Sequence, residues 1–517
     1  MGCMKLLNEI TIMMNFKNLI LVAMSALCLA PVAQAEHVTI IAVNDTHSQI
    51  DPASDGKGGA LRRRAIYDKV RSENKYTMTL HAGDAVQGNV YFSLYGGAVE
   101  YAAIDSLGYD AVIWGNHEMD NGIDSTFHFY KNVKAQLLSA NYDFSNTKMD
   151  GIVKPYMIKT FGGKRVAVIG INVCPEGIIS EKNFKGLHYL PSIDVADATA
   201  KYLKEVQKVD YVVMLSHIGY FSEAPNEPND CDIVKASHYI DLVVGGHSHS
   251  TIKPGSPEAT VPNADGKPIT IGQNGKFGKI VATYDLDLET GAVTYKHIPV
   301  DSSWDEAAKK YVAMDNWLKP YRHGVDSLMT YPVGESAKAM KNSSAALQNW
   351  TCDASLDIIR RISGVKKVDC CIMNKGGIRI NMPAGMVSEG VIGSMFPFDN
   401  RYVVLEMTGK DLIDALKVMA HRHGDAVSKE LFATFNAKGE LLSSKLNGKN
   451  IDPKKVYNVA TIDYLANGGD YMEPFKTAKR LWVDNVKYGE HVLQYVKDLK
   501  AAGKVIDAKD EWRMVKK

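Results

Sequence analysis

The residues best suited to chemistry centre on Gly115-Asn116-His117-Glu118-Met119-Asp120. Asn116 offers a neutral oxygen to a metal ion. His117 can donate a proton, and Asp120, three residues on, can hold the imidazole and raise its pKa. Alone, an Asn-His pair after a strand reads as a surface turn. Its weight comes from further clusters of the same chemical kind: Asp45 with His47, Asp84, His217, and His247 with His249. Any one of these histidines reads as a surface or satisfied buried residue; together, each after an apolar run, they read as one site. The His, Asp and Asn set suits Zn, Mn or similar divalent ions, with too few soft ligands for iron–sulfur or copper(I) chemistry.

The series D-x-H, G-D-x-x-x-G, G-N-H-[DE], H and G-H-x-H, in that order, resembles the calcineurin-like metallophosphoesterases. The resemblance implies two divalent metal ions with Asp84 bridging them. Asp45, His47 and His249 would complete one site, and Asn116, His217 and His247 the other. Two cations about 3.5–4 Å apart polarise a phosphoryl group and generate a hydroxide near neutral pH, which would attack phosphorus in line. His117, held by Asp120, would then stabilise developing charge or protonate the leaving oxygen.

A second group of residues narrows the substrate. Asn374-Lys375-Gly376-Gly377-Ile378-Arg379 is followed by Phe398 and Asn400 within Phe396-Pro397-Phe398-Asp399-Asn400, and later by Tyr464 and Asp470 in Tyr464-Leu465-Ala466-Asn467-Gly468-Gly469-Asp470. Each loop alone is a turn sequence. Together they offer two aromatics to sandwich a base, an acid for ribose hydroxyls and an arginine for a phosphate or carboxylate.

With these loops, nearly the whole chain after residue 35 resembles the secreted 5′-nucleotidase family, which includes the bacterial UDP-sugar hydrolases. The resemblance implies that Phe398 and Tyr464 stack on the base, Asp470 takes the ribose hydroxyls, Asn374 and Arg379 hold polar groups of the substrate, and Asn400 contacts the base edge. It also implies a domain rotation that brings phosphate to metal. Three departures stand out. Tyr464 replaces the usual Phe, and His249 stands where some bacterial members have Gln. The usual arginine before the first helix of the second domain is missing, with only Lys338 and Lys341 nearby, which leaves more of the phosphate to Arg379.

These side chains must be placed by strands. Val38 to Val43, Tyr76 to Leu80, Ala111 to Trp114, Val166 to Ile171, Tyr211 to Leu215 and Ile240 to Val244 are apolar runs, and five of them end at the clusters above. Leu61 to Ser72 reads as an amphipathic helix with Arg62, Arg63 and Arg64 on a solvated face. The alternation predicts an α/β fold. The resemblance implies an N-terminal four-layer α/β/β/α metallophosphoesterase sandwich, a linker helix and a C-terminal α/β nucleotide-binding domain. The expected boundaries are 36–304, 305–333 and 334–517. Thr283 to Val300 reads as a hairpin turning at Glu289-Thr290-Gly291, and Glu306 to Leu328 as one charged helix.

Residues 1–35 read as a signal peptide, with Lys17 before an apolar Leu19–Ala30 core and Ala33-Gln34-Ala35 as the cleavage site; translation is expected to begin at Met13 or Met14. The apolar core is shorter than the ~20 residues that span a bilayer. A periplasmic or secreted protein without stable membrane insertion is expected, as monomer or homodimer. The formal charge of +1 argues against a nucleic-acid polymer as partner. Cys174, Cys231, Cys352, Cys370 and Cys371 remain after cleavage, too few and too odd for a disulfide framework; Cys370-Cys371 reads as one buried and one partly exposed thiol.

The leading expectation is release of phosphate from nucleoside 5′-monophosphates, with UDP-sugars and nucleoside di- and triphosphates as further substrates. The alternatives are a 2′,3′-cyclic-nucleotide phosphodiesterase with 3′-nucleotidase activity, and a catalytically silent nucleotide-binding surface protein. A related sulfur-oxidation hydrolase is disfavoured by the two-aromatic loops.

Overall fold

β-branched and aliphatic residues alternate along each early strand, and in this chain both sets are buried. In strand His37–Val43, Val38, Ile40 and Ala42 face one apolar layer while Ile41 and Val43 face another. Strand Tyr211–His217 repeats this, with Val213 and Leu215 on one side and Val212 and Met214 on the other. A strand covered on both faces belongs inside a layered α/β fold. The computed structural model describes residues 36–222 and 227–517. The signal-peptide reading of residues 1–35 lies outside them.

Two six-stranded sheets stack face to face. The first runs, in spatial order, Val293–Pro299, Ile280–Asp287, His37–Val43, Thr77–Ala82, Ala111–Ile113, Gln136–Leu137. Its first two pairings are antiparallel and the rest parallel. The second runs Thr260–Pro262, Pro268–Gly272, Leu242–Val244, Tyr211–His217, Lys164–Asn172, Tyr156–Phe161, with a parallel centre and antiparallel edges. Helices Ala60–Glu73, Ala98–Leu107 and Val312–Thr330 cover the outer face of the first sheet. Helices Ser192–Glu205 and Asp230–Ala236 cover the second. This is the expected four-layer α/β/β/α sandwich. The C-terminal part has its own core around a five-stranded sheet ordered Ala426–Val427, Cys370–Met373, Val456–Ile462, Arg401–Thr408, Lys479–Lys487.

Several local expectations need correction. Arg62 and Arg63 are not a solvated face but are buried. Arg62 Nε donates to Asp305 Oδ1 at 2.6 Å and its Nη1 to the Gly56 carbonyl at 2.7 Å; Arg63 Nη1 donates to the Gln49 carbonyl at 3.2 Å. Acceptors from the neighbouring loop and Asp305 offset the cost of burying these groups, although the Arg63 Nε has no hydrogen-bond partner. The charged helix is two, Asp305–Ala308 and Val312–Thr330, because Tyr311 leaves helical geometry (φ −88°, ψ 48°) while its hydroxyl bonds Asp68 at 2.9 Å. Cys370 and Cys371 are both buried, since their strand is interior and covered on both faces, and all five described cysteines are free thiols. The strands ending at Ala82 and His217 each run two residues further than their apolar runs, so His217 is itself a strand residue.

Candidate active site

The parallel strands of both sheets end at one edge, and their carboxyl ends deliver the predicted ligands. Asp45 and His47 follow Val43; Asp84 follows Ala82; Asn116 and His117 follow Ile113; His217 ends its strand; His247 and His249 follow Val244. His47 Nε2 and His249 Nε2 lie 2.9 Å apart. Asp45 Oδ1 is 3.4 Å from His249 Nε2 and 3.8 Å from His47 Nε2. Asp84 Oδ2 is 3.9 Å from His47 Nε2 and 3.3 Å from His217 Nε2. Asn116 Oδ1 is 3.0 Å from His247 Nδ1. One ligand atom each from Asp45, His47, Asp84 and His249 falls within 4.8 Å of all the others.

The chemistry of this donor set fits divalent cations. His217 Nδ1 bonds the Ala82 carbonyl at 2.7 Å, which turns Nε2 toward Asp84, and that buried Nε2 has no hydrogen-bond partner. Burial opposes charge on His217, yet the Asp84 and Asp45 carboxylates push its pKa up to about 10, so positive charge is favoured at that nitrogen. Burial lowers His47 and His247, the latter to about 3, leaving neutral imidazoles with lone pairs to offer. Burial would raise Asp84, but the surrounding histidines hold it well below the usual carboxylate range. Anionic carboxylates interleaved with neutral imidazoles are what Zn or Mn would need.

The backbone is bent to make this possible. Asp45, His47, Asp84, His247 and His249 all have positive φ, between 44° and 77°. Such conformations cost on the order of 1–3 kcal/mol each and persist only where the surroundings enforce them. Glu118 supplies part of that enforcement, accepting from the N–H groups of Asp84 (3.1 Å), Ala85 (2.7 Å) and Gly115 (2.6 Å). Glycine is required at Gly115, where a Cβ would collide with Asp84 Oδ1, and at Gly83 (φ 81°), where it would sit 2.5 Å from His217 Nδ1.

Beside the cluster, His117 Nδ1 pairs with Asp120 Oδ2 at 2.8 Å, while Nε2 lies 4.0 Å from Asp84 Oδ2. Burial works against protonation of this ring, but Asp120 and Asp84 outweigh it and the pKa is raised. The dyad can therefore carry a proton toward a group seated on the cluster.

A cavity of about 880 Å³ extends from this edge and is lined by Asp84, Asn116 and His117 on one wall and by Asn374, Arg379, Phe398, Asn400, Tyr464 and Asp470 on the other. Every predicted substrate-binding residue therefore reaches the same space. Arg379 crosses the cleft, with Nη2 3.3 Å from His47 Nδ1, and its guanidinium lies 5.9 Å from the Phe398 ring centroid. Phe398 is tilted against His117 at 6.0 Å. Buried Asn374 Oδ1 has no hydrogen-bond partner. The Tyr464 hydroxyl donates to Asp470 Oδ1 at 2.9 Å, a bond that the usual Phe would lack. Lys338 bonds the Ala508 carbonyl and pairs with Asp507 at 3.1 Å; neither it nor Lys341 lines the cavity, leaving Arg379 as the arginine beside the metal ligands.

Sequence reasoning missed three neighbours. Glu118 was visible as the acid in G-N-H-[DE], but not its scaffolding part. Arg422, beyond a helix end, pairs with Asp470 at 3.1 Å and Asp425 at 3.0 Å, and no local pattern announced it. Lys276 lines the cavity from a loop after strand Pro268–Gly272. Its placement between Gly275 and Gly278 was the available signal.

Residues 38–251 match the calcineurin-like phosphoesterase family, and residues 329–477 match the 5′-nucleotidase C-terminal domain. The trifunctional nucleotide phosphoesterase protein YfkN of Bacillus subtilis is 25% identical over 92% of this chain, which spans 35% of that longer protein. The 5′-nucleotidase of Bos taurus is 26% identical over 89% of this chain and 88% of its own. Among solved structures, the 5′-nucleotidase precursor of Thermus thermophilus superposes with a TM-score of 0.82 at 26% identity, covering 93% of this chain and 99% of that one.

Proposed function

Because the chain joins a calcineurin-like phosphoesterase domain to a 5′-nucleotidase C-terminal domain and is a metal-dependent phosphoester hydrolase, we propose that it releases phosphate from nucleoside 5′-monophosphates. The observation that carries this reading is the single cavity shared by the metal-ligand cluster, the His117–Asp120 pair and the Arg379–Phe398–Tyr464 wall. Asp45, His47 and His249 would hold one divalent ion and Asn116, His217 and His247 another, with Asp84 between them. Such ions supply Lewis-acid polarisation of the phosphoryl group and a water made nucleophilic near neutral pH.

The chain's own residues do the rest. Arg379 presents a planar fork of donors beside His47 and orients the phosphoryl oxygens. His117, its Nδ1 held by Asp120, aims Nε2 at the cluster and gives its proton to the leaving O5′. Phe398 and Tyr464 clasp the base, Asp470 the ribose hydroxyls, and Asn374 and Asn400 the polar edges of the substrate. The division into 36–304, a linker over 305–333 and 334–517 allows the second wall to move relative to the first. UDP-sugars and nucleoside di- and triphosphates fit the same scheme as additional substrates. The apolar Leu19–Ala30 segment and the Ala33-Gln34-Ala35 site support secretion to the periplasm or beyond. No helix of the described residues is long and apolar enough to cross a membrane.

The test is phosphate release from AMP, 2′,3′-cyclic AMP and UDP-glucose in parallel, with Mn or Zn and with EDTA. Chelator-sensitive release fastest from AMP is expected. Faster opening of the cyclic nucleotide would transfer the assignment to the cyclic phosphodiesterases. Binding of AMP without turnover in metal-loaded protein would make this a nucleotide-binding protein.

A further inference from the structure

Two lysines flank Phe277, and they are treated differently. Lys279 lies 5.6 Å from the Phe277 ring centroid and pairs with Asp55 at 2.7 Å. Lys276 lies 5.1 Å from the same ring but, among the described residues, has no carboxylate or hydrogen-bond partner. It is half-buried and lines the central cavity with His249 and Arg379. A partly desolvated cation normally acquires an acceptor, because leaving it unpaired is costly.

The loop that carries Lys276 is fastened to the metal-ligand loops on both sides. The Gly275 carbonyl accepts from Asn44 Nδ2 at 2.7 Å, and the Gly275 N–H donates to the Ser250 carbonyl at 2.8 Å. On the other side the Phe277 N–H donates to the Asp45 carbonyl at 2.6 Å, and the Phe277 ring packs edge-on against His47 at 5.9 Å. The lysine is thus fixed in register with Asp45, His47 and His249. Arg379, from the opposite wall, adds a second cation whose buried Nε has no hydrogen-bond partner.

Resting on the nucleotidase reading, we propose that Lys276 and Arg379 together form a phosphate-anchoring subsite, one cation from each wall, that takes the oxygens of the substrate's terminal phosphoryl group and of the phosphate product. Burial and the repulsion of Arg379, only partly offset by Asp45, push the Lys276 pKa down to about 8. A phosphate dianion between the two would supply counter-charge to both. The subsite also accounts for a chain that lacks an arginine near Lys338 and Lys341: the second cation comes from the metal-ligand wall instead.

The experiment is calorimetric titration of inorganic phosphate and, separately, adenosine into metal-loaded wild type, Lys276→Met and Lys276→Arg, with metal content measured for each. Met keeps the aliphatic stem over Phe277 and removes only the charge. The expected result is at least tenfold weaker phosphate binding for Lys276→Met, near wild-type phosphate binding for Lys276→Arg, and unchanged adenosine binding and metal content. Unchanged phosphate affinity in Lys276→Met would overturn the proposal. So would loss of metal from that variant, which would make Lys276 a support for the ligand loops. If phosphate binding follows Lys276 while wild type releases no phosphate from AMP, the subsite stands and the nucleotide assignment falls.

Discussion

The two walls of the cleft are built in opposite ways. The wall of predicted metal ligands is set by backbone: the ends of parallel strands, left-handed conformations at five of those residues, and glycines where any side chain would strike one of them. The nucleoside wall is set by side chains bonding to one another and across the cleft: Tyr464 to Asp470, Asp470 to Arg422, Arg379 toward His47. A backbone-built wall keeps its geometry when the other wall moves away. A wall held by side-chain pairs changes gradually when one member is altered. Under the proposed function, chemistry that tolerates little displacement falls to the first wall, and recognition to the second.

The sharpest way to break this comparison is Asp84→Ala. The variant should lose bound metal and essentially all phosphate release, yet bind adenosine as wild type does, because Tyr464 and Asp470 are held by each other and by Arg422, not by Asp84. Metal analysis and calorimetry check both halves. His117→Ala should keep its metal and lower kcat by roughly 10²–10⁴-fold, the usual worth of a positioned proton donor. Equal turnover in that variant and wild type would remove the dyad from the mechanism.

A third test concerns what lies behind the first wall. Burial raises the Glu100 carboxyl from 4.5 to about 7, and neither of its oxygens has a hydrogen-bond partner. A raised folded-state pKa means that stability present below the unfolded value is lost as pH climbs through the folded one. Relative to Glu100→Gln, wild type should therefore lose about 3 kcal/mol between pH 4.5 and 7, at ~1.4 kcal/mol per unit. Denaturant unfolding of both proteins across that range reads it directly, and parallel curves would refute it.

The nucleoside wall should yield smaller effects. Phe398→Ala should raise KM for AMP by the equivalent of about 1–3 kcal/mol, as lost base stacking does, with metal content unchanged. Tyr464→Phe removes only the hydroxyl that bonds Asp470, which keeps its Arg422 partner at 3.1 Å. A change of about two- to threefold in KM, ~0.5 kcal/mol, is expected, and a large loss would mean that this hydroxyl touches substrate.

The same contrast explains what the sequence disclosed. Side chains at strand ends carry a local signature, an apolar run followed by His, Asp or Asn, so the gathering of Asp45, His47, Asp84, Asn116, His217, His247 and His249 was legible, as was the α/β class that the alternating runs predict; the four-layer arrangement was implied by the resemblance. Arg379, Phe398 and Tyr464 were legible only when their loops were taken together, and the family resemblance implied each one's part, because Gly-rich turns say little by themselves. Long-range partnerships were invisible. Nothing near Arg422 points to Asp470, and nothing near Lys276 points to Arg379. The buried Arg62 and Arg63 were misread for the same reason: the carbonyls of Gly56 and Gln49 that accept from them belong to a loop whose docking no helical pattern reveals.

Under the proposed function, one metal cluster with ligands from both sheets performs the reaction. The most direct test is to strip the protein with a chelator and add Mn or Zn back stepwise, measuring bound metal and phosphate release from AMP in the same samples. The expected result is no release from the stripped protein and full release as two ions bind per chain. Phosphate release by demonstrably metal-free protein would contradict it.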